Sequence, residues 1–241
     1  MNGLPEKELD RLRKYDTPTI CNVIEVFDVQ PRNVGYANET IKACFPEMPP
    51  TVGYASTATW RSDAPPTDGI AYGSMGDQLE AFSSIPGPPV VVLQDLDEPT
   101  SAASFGEVMC TTYKTFGAIG LITSGAARDL DQVREIGFPA FSNGAIASHG
   151  YGHIVDVHLP VHIGGLPVRP GELIHADCNG VATIPDSIAD QVADVCDDYV
   201  AAEQIILDYL NSGNITTEGF NDARKACLAE LNALTDRVQS R

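Results

Sequence analysis

Two apolar runs constrain the fold most: PPVVVLQDL at 88–96 and AIGLITSG at 118–125, separated by a segment with helical character from Phe105 to Phe116. Each run is strand length and lacks polar alternation, as expected of a strand buried on both faces. Two such strands joined by a helix predict a parallel βαβ unit and an α/β fold. In that unit the segments leaving the carboxyl ends of both strands emerge at one edge of the sheet, where ligands commonly bind.

The flanking segments extend the pattern. A charged helix is expected over 6–15, then a helix near 18–27, with Asp16-Thr17-Pro18 supplying a cap and a first-turn proline. Residues 28–50 read as irregular, Thr51 to Trp60 as a strand, RSDAPPTDG as a loop and Met75 to Ser84 as a short helix. Leu130 to Ile136 predicts another helix. HIVDVHLPV, LPV, ELIHAD and GVATIP predict short strands forming a small β layer on the α/β part. A long helix over Asp186 to Leu210, striped by Ile188, Val192, Val195, Tyr199 and Ala202, and a last one over 217–238 complete the chain.

The edge rule brings chemistry together. The first run leads to a helix opening with Gly106, Glu107, Val108 and Met109, and the second delivers Arg128 and Asp129, with twenty residues between Glu107 and Arg128. A helix start offers unpaired N–H groups and partial positive charge, which suit a carboxylate, and glycine permits close approach. Arg128 can clamp the same acid with a planar fork. Asp129 can hold a hard divalent ion, since Mg²⁺ accepts one protein carboxylate and fills its other positions with water and substrate oxygens. A 2-oxo acid fits, with Glu107 moving protons and the ion stabilising enolate charge. Taken singly, Arg128-Asp129 also reads as a surface pair or helix cap, and Glu107 as an ordinary first-turn acid.

Composition narrows the alternatives. Against 33 Asp+Glu stand 15 Lys+Arg, a formal charge of −18, which argues against nucleic acid as partner. No stretch reaches the roughly 20 apolar residues of a membrane span, and the charged N-terminus is unlike a signal peptide, so a cytoplasmic protein is expected. The six cysteines form no C-x-x-C pair and read as mostly reduced core thiols. His149/His153 and His158/His162 have i,i+4 spacing, but Gly150, Gly152 and Pro160 interrupt a helix there and disfavour a zinc site.

The pattern G-E-x20-R-D followed by IGFPAF, with LPVHIGGLPVRPGELIHADCNGVATIP, resembles the family of class II 4-hydroxy-4-methyl-2-oxoglutarate/4-carboxy-4-hydroxy-2-oxoadipate aldolases and the ribonuclease E activity regulator RraA. The resemblance covers roughly 16–204, between an N-terminal helical segment, 1–15, and a C-terminal helical extension, 205–241. It implies a three-layer β/β/α swivelling-type domain, assembled as a homotrimer or homohexamer with an intersubunit site. It further implies that Gly106, Glu107, Val108 and Met109 bind a pyruvyl carboxylate, Arg128 binds substrate, and Asp129 coordinates Mg²⁺ or Mn²⁺. Glu203 is the candidate for a glutamate reaching a neighbouring subunit's metal. Glu107 stands at the family's aspartate, and Ser124 where family enzymes often carry Asp; the 61–74 loop and the extension also depart.

The expected activity is a metal-dependent carbon–carbon lyase that cleaves a 4-hydroxy-2-oxo acid to pyruvate and a second carbonyl product. An oxaloacetate-type decarboxylase on the same site and a protein-binding regulator without enzymatic activity are the alternatives.

Overall fold

A computed structural model describes residues 3–67 and 75–240; the 68–74 part of the expected loop lies outside them. The chain opens with α1 (Glu6–Leu12) and α2 (Thr17–Phe27). The Asp16 side chain accepts from Thr19 N–H at 2.9 Å and caps α2, which Asp28 ends in the left-handed region. There follow β1 (Lys42–Ala43), β2 (Thr51–Arg61), α3 (Met75–Ala81), β3 (Pro89–Asp95), β4 (Ala103–Phe105) and α4 (Glu107–Thr115). The middle of the chain holds β5 (Gly120–Thr123), β6 (Ala126–Ala127), α5 (Leu130–Glu135), β7 (Ala140–Ser142), β8 (His153–Val157), β9 (Val161–Ile163) and β10 (Leu166–Val168). Last come β11 (Leu173–Asp177), β12 (Gly180–Ile184), α6 (Ala189–Asn211) and α7 (Thr217–Gln239).

The main sheet has the order β1-β7-β5-β3-β2-β11-β12, with β8 also on β2. The β2–β3, β3–β5 and β5–β7 pairs are parallel, so the βαβ expectation holds and extends by one strand on each side. The small β layer is corrected in part. Strands β8, β11 and β12 join the main sheet, and β9–β10 forms a separate hairpin. The length of β2 explains this: its first half pairs with β11 through Thr51–Tyr54 and its second with β8 through Ala58–Arg61.

Strand alternation sorts the core into layers. On one face, Val91, Leu93, Leu121, Ala58 and Trp60 pack against α4 and α5, while Val52, Tyr54 and Leu173 pack against α1, α2 and α6. On the other, Val90, Val92, Ile122 and Ile174 meet Val161, Ile163, Leu166 and Val168 of the hairpin. The result is a three-layer β/β/α architecture with helical segments at both ends. All six cysteines are free: Cys110, Cys196 and Cys227 are buried, Cys21 and Cys44 half-buried, and Cys178 exposed, contrary to a core position. Among the described residues, no helix is long and apolar enough to cross a membrane.

Candidate active site

The loops leaving β3 and β5 are tied together by a second, two-stranded parallel ladder. Strand β4 pairs with β6, with Phe105 opposite Ala127, and Arg128 N–H donates to the Phe105 carbonyl at 3.1 Å. The helix expected over Phe105–Phe116 is corrected at its start: residues 103–105 are strand, and α4 runs from Glu107 to Thr115. This ladder sets Gly106-Glu107 beside Arg128-Asp129.

The contact is close. Glu107 N–H donates to Asp129 Oδ2 at 3.1 Å, and Arg128 Nε lies 3.6 Å from the same oxygen. A β-carbon on Gly106 would stand 2.4 Å from Asp129 Oδ2 and 2.9 Å from Arg128 Nε, so any side chain there would push both groups away from the helix start. Asp129 itself is in the left-handed region at φ 54°, which an aspartate tolerates better than most residues and which turns its carboxylate back toward α4. The N-cap Gly106 has no side chain to cap α4 and Asp129 takes only the Glu107 amide, so the Val108 and Met109 amides of the first turn are left for a ligand.

Beside this junction lies a cavity of about 330 Å³, bordered by Gly106, Val108, Met109 and Arg128 together with Trp60 and Met75. Of the residues named from sequence, the structure thus brings Gly106, Val108, Met109 and Arg128 to one cavity, with Asp129 and Glu107 at its margin. Glu107 is exposed, at the first position of α4. Glu203 is not brought there within one chain: it lies on α6, near Tyr199 and near Cys227 of α7.

Sequence reading missed Asp95 and Ser104, and it weighed His149 only as half of a disfavoured zinc pair. Asp95 closes β3, and burial pushes its carboxyl up to about 6, partly opposed by the Asp97 N–H donated to Oδ1 at 3.0 Å. Its Oδ2 and the Ser104 hydroxyl are buried and have no hydrogen-bond partner among the described residues. Both crowd Gly125, where a β-carbon would stand 2.0 Å from Ser104 Oγ and 2.6 Å from Asp95 Oδ2. An acid ending an apolar strand at the ligand edge was the available signal. Ser124, the departure from the family aspartate, has a structural role: its hydroxyl accepts from Asp95 N–H at 2.9 Å and ties the two strand ends together. His149 arrives from the loop after β7 and borders the cavity.

The donor set fits a hydrated hard cation. Asp129 offers carboxylate oxygen on a side chain 35% exposed, next to the exposed Glu107, and such a site leaves room for water and substrate oxygens. Among the described residues, no group of three or more His, Cys, Asp or Glu is placed to hold a metal ion, so a cation here would rest on Asp129, water and substrate.

Residues 17–183 match the family described as RraA-like, Aldolase/RraA. Over 113 residues the chain is 33% identical to a protein of Halalkalibacterium halodurans named "Putative 4-hydroxy-4-methyl-2-oxoglutarate aldolase", a match covering 46% of this chain and 54% of that one. The chain thus spans about half the length of that relative. An uncharacterized protein from Pseudomonas syringae pv. tomato shares the fold at TM-score 0.71 and 21% identity, covering 93% of this chain and 95% of that one. Streptomyces coelicolor RraAS2, titled an unusual member of the RNase ES inhibitor RraA protein family, does so at TM-score 0.66 and 23% identity, covering 85% and 97%. With the family pattern matched across more than half its length and the fold in agreement, this chain belongs to the RraA-like, Aldolase/RraA family.

Proposed function

We propose that the chain is a divalent-cation-dependent lyase that cleaves a 4-hydroxy-2-oxo acid to pyruvate and a second carbonyl product. The observation that carries this reading is the junction at which Gly106 lets Arg128 and Asp129 close against the first turn of α4, beside a cavity. The name of the Halalkalibacterium halodurans relative points to the same chemistry.

The Val108 and Met109 amides and the Arg128 guanidinium hold the substrate's C1 carboxylate, the amides by the helix-start charge and the arginine by its fork. Asp129, with Mg²⁺ or Mn²⁺ as the fitting ions, is the residue that would hold the cation. When bound, the cation supplies Lewis-acid polarisation of the 2-oxo group. Glu107 takes the proton of the C4 hydroxyl, so that the C4–O bond becomes a carbonyl as the C3–C4 bond breaks. The bonding pair passes to C3, and the proton returned there completes the methyl group of pyruvate; atoms and charge balance without any redox partner. We place Glu203 at the site of a neighbouring copy in a homotrimer or homohexamer, since within one chain it lies elsewhere.

A pyruvate-release screen over 4-hydroxy-2-oxo acids and oxaloacetate, with and without Mg²⁺ or Mn²⁺, tests the reading beside Arg128→Ala and Asp129→Ala. Cation-dependent release from a hydroxy acid, lost in both variants, is expected. Release from oxaloacetate alone would reassign the site to decarboxylation, and no release from any substrate would sink the lyase reading.

A further inference from the structure

The cavity beside Arg128 is apolar over most of its wall. Trp60, Met75, Phe105, Val108 and Met109 supply aromatic, thioether and branched surface, and Val108 remains 78% exposed at the mouth. Val108 thus offers apolar surface at the mouth of a pocket whose wall is mostly apolar, the lining that suits an uncharged group.

Within one chain, the fixed charges that border the cavity favour one anionic group. Arg128 is the one Lys or Arg among the described residues that border it. Cations on the adjoining helices are engaged elsewhere: Lys114 of α4 donates to the Ile136 carbonyl, and Arg134 of α5 pairs with Glu47 and Asp131. Arg61 follows Trp60 along β2, but strand alternation sends successive side chains to opposite faces, and Arg61 is exposed where Trp60 is buried. On the acidic side Asp129 stands 3.6 Å from Arg128 Nε, and Asp95 crowds Gly125 together with Ser104 of the wall, in a chain of formal charge −18. The remaining polar groups of the wall are His149 and the Ser104 hydroxyl, neither of which carries the fixed charge of a guanidinium, so a second substrate carboxylate would enter largely apolar surroundings without a second Lys or Arg as counter-ion.

We propose that this site selects a monocarboxylic 4-hydroxy-2-oxo acid with an uncharged alkyl or aryl substituent at C4, Arg128 holding the one carboxylate and Met75 and Val108 contacting the substituent. The inference rests on the lyase reading and departs from the dicarboxylate in the name of the Halalkalibacterium halodurans relative. Cleavage follows the same balance, giving pyruvate and an alkyl or aryl aldehyde or ketone.

The test is pyruvate release by the full chain with Mg²⁺ from 4-hydroxy-2-oxo-4-phenylbutanoate and from 4-hydroxy-4-methyl-2-oxoglutarate, in the native protein and in Val108→Arg. The native protein is expected to favour the phenyl substrate by at least about tenfold in kcat/KM, the scale on which an apolar pocket discriminates. Val108→Arg, at an exposed position, is expected to leave the melting temperature in place and move the ratio at least about tenfold toward the dicarboxylate. Equal or better turnover of the dicarboxylate by the native protein overturns this inference while leaving the lyase reading intact. An unchanged ratio in Val108→Arg removes Val108 from the substituent site and overturns the assignment as stated. Absence of release from both substrates overturns the lyase reading itself.

Discussion

The backbone N–H of Glu107 donates to Asp129 Oδ2 at 3.1 Å, so the first amide of α4 is held by the carboxylate that precedes α5. One hydrogen bond thereby fixes the spacing between the two halves of the site, and it leaves the next two amides of the helix for a ligand.

That spacing depends on Gly106. A methyl group there would overlap the Asp129 carboxylate and the Arg128 guanidinium, at 2.4 and 2.9 Å, and both lie on the short β4–β6 junction. Gly106→Ala is expected to lower pyruvate release about 100-fold, the effect of a displacement near 1 Å between reacting groups. It should cost about 1–3 kcal/mol of stability from overpacking. Steady-state kinetics beside urea denaturation checks both; native-like turnover in the variant would show that the junction does not set the geometry.

Asp129 combines a backbone role with a charge role, and two substitutions separate them. Asparagine tolerates the left-handed region and keeps an acceptor for Glu107 N–H, whereas alanine does neither. Asp129→Asn is therefore expected within about 0.5 kcal/mol of the native stability, and Asp129→Ala about 1–2 kcal/mol below it. Both should lose cation-dependent activity and Mn²⁺ binding in a calorimetric titration. Full Mn²⁺ affinity in Asp129→Asn would move the cation site to other residues.

How far the site was legible in sequence follows from which features are local. The runs at β3 and β5 announce themselves because a strand buried on both faces must be continuously apolar, and their carboxyl edge predicted that Glu107 and Arg128-Asp129 would meet. The β4–β6 ladder was not legible: Ala103-Ser104-Phe105 is too short for a period, and its glycine cap carries no side-chain signal. The pairing of β8 and β11 with one strand was hidden for another reason, since alternation gives a strand's faces but not its neighbours. Trp60, Met75 and His149 reach the cavity from three separate segments, a convergence that only tertiary structure defines.

Glu107 is exposed at the first position of α4, where an acid also complements the helix dipole. Its chemical role can be separated from that structural one. Glu107→Gln is expected to lower kcat about 10²–10⁴-fold with little change in KM and at most a few tenths of a kcal/mol in stability. Glu107→Asp, which keeps the acid one methylene shorter, should recover much of the loss. Equal activity in Glu107→Gln and the native protein, measured as pyruvate release, would assign proton transfer elsewhere.

Asp95 gives the site a pH-dependent stability with a defined sign. Burial raises its native pKa to about 6 from an ordinary value of 3.8, so between those limits the native state binds more protons than the unfolded chain. Stability from this group is full below about 4, falls as pH rises toward 6 and is level above. Asp95→Asn keeps the Oδ1 acceptor for Asp97 N–H and removes the titration. Relative to the native protein, the variant is expected to gain on the order of 1 kcal/mol between pH 4 and pH 6.5, a figure reduced for solvent screening of a partly exposed carboxyl. Urea denaturation of both proteins across that range reads the difference directly. A constant offset would show that Asp95 titrates as an ordinary carboxylate, and a falling one would mean that it is held ionised by a counter-charge.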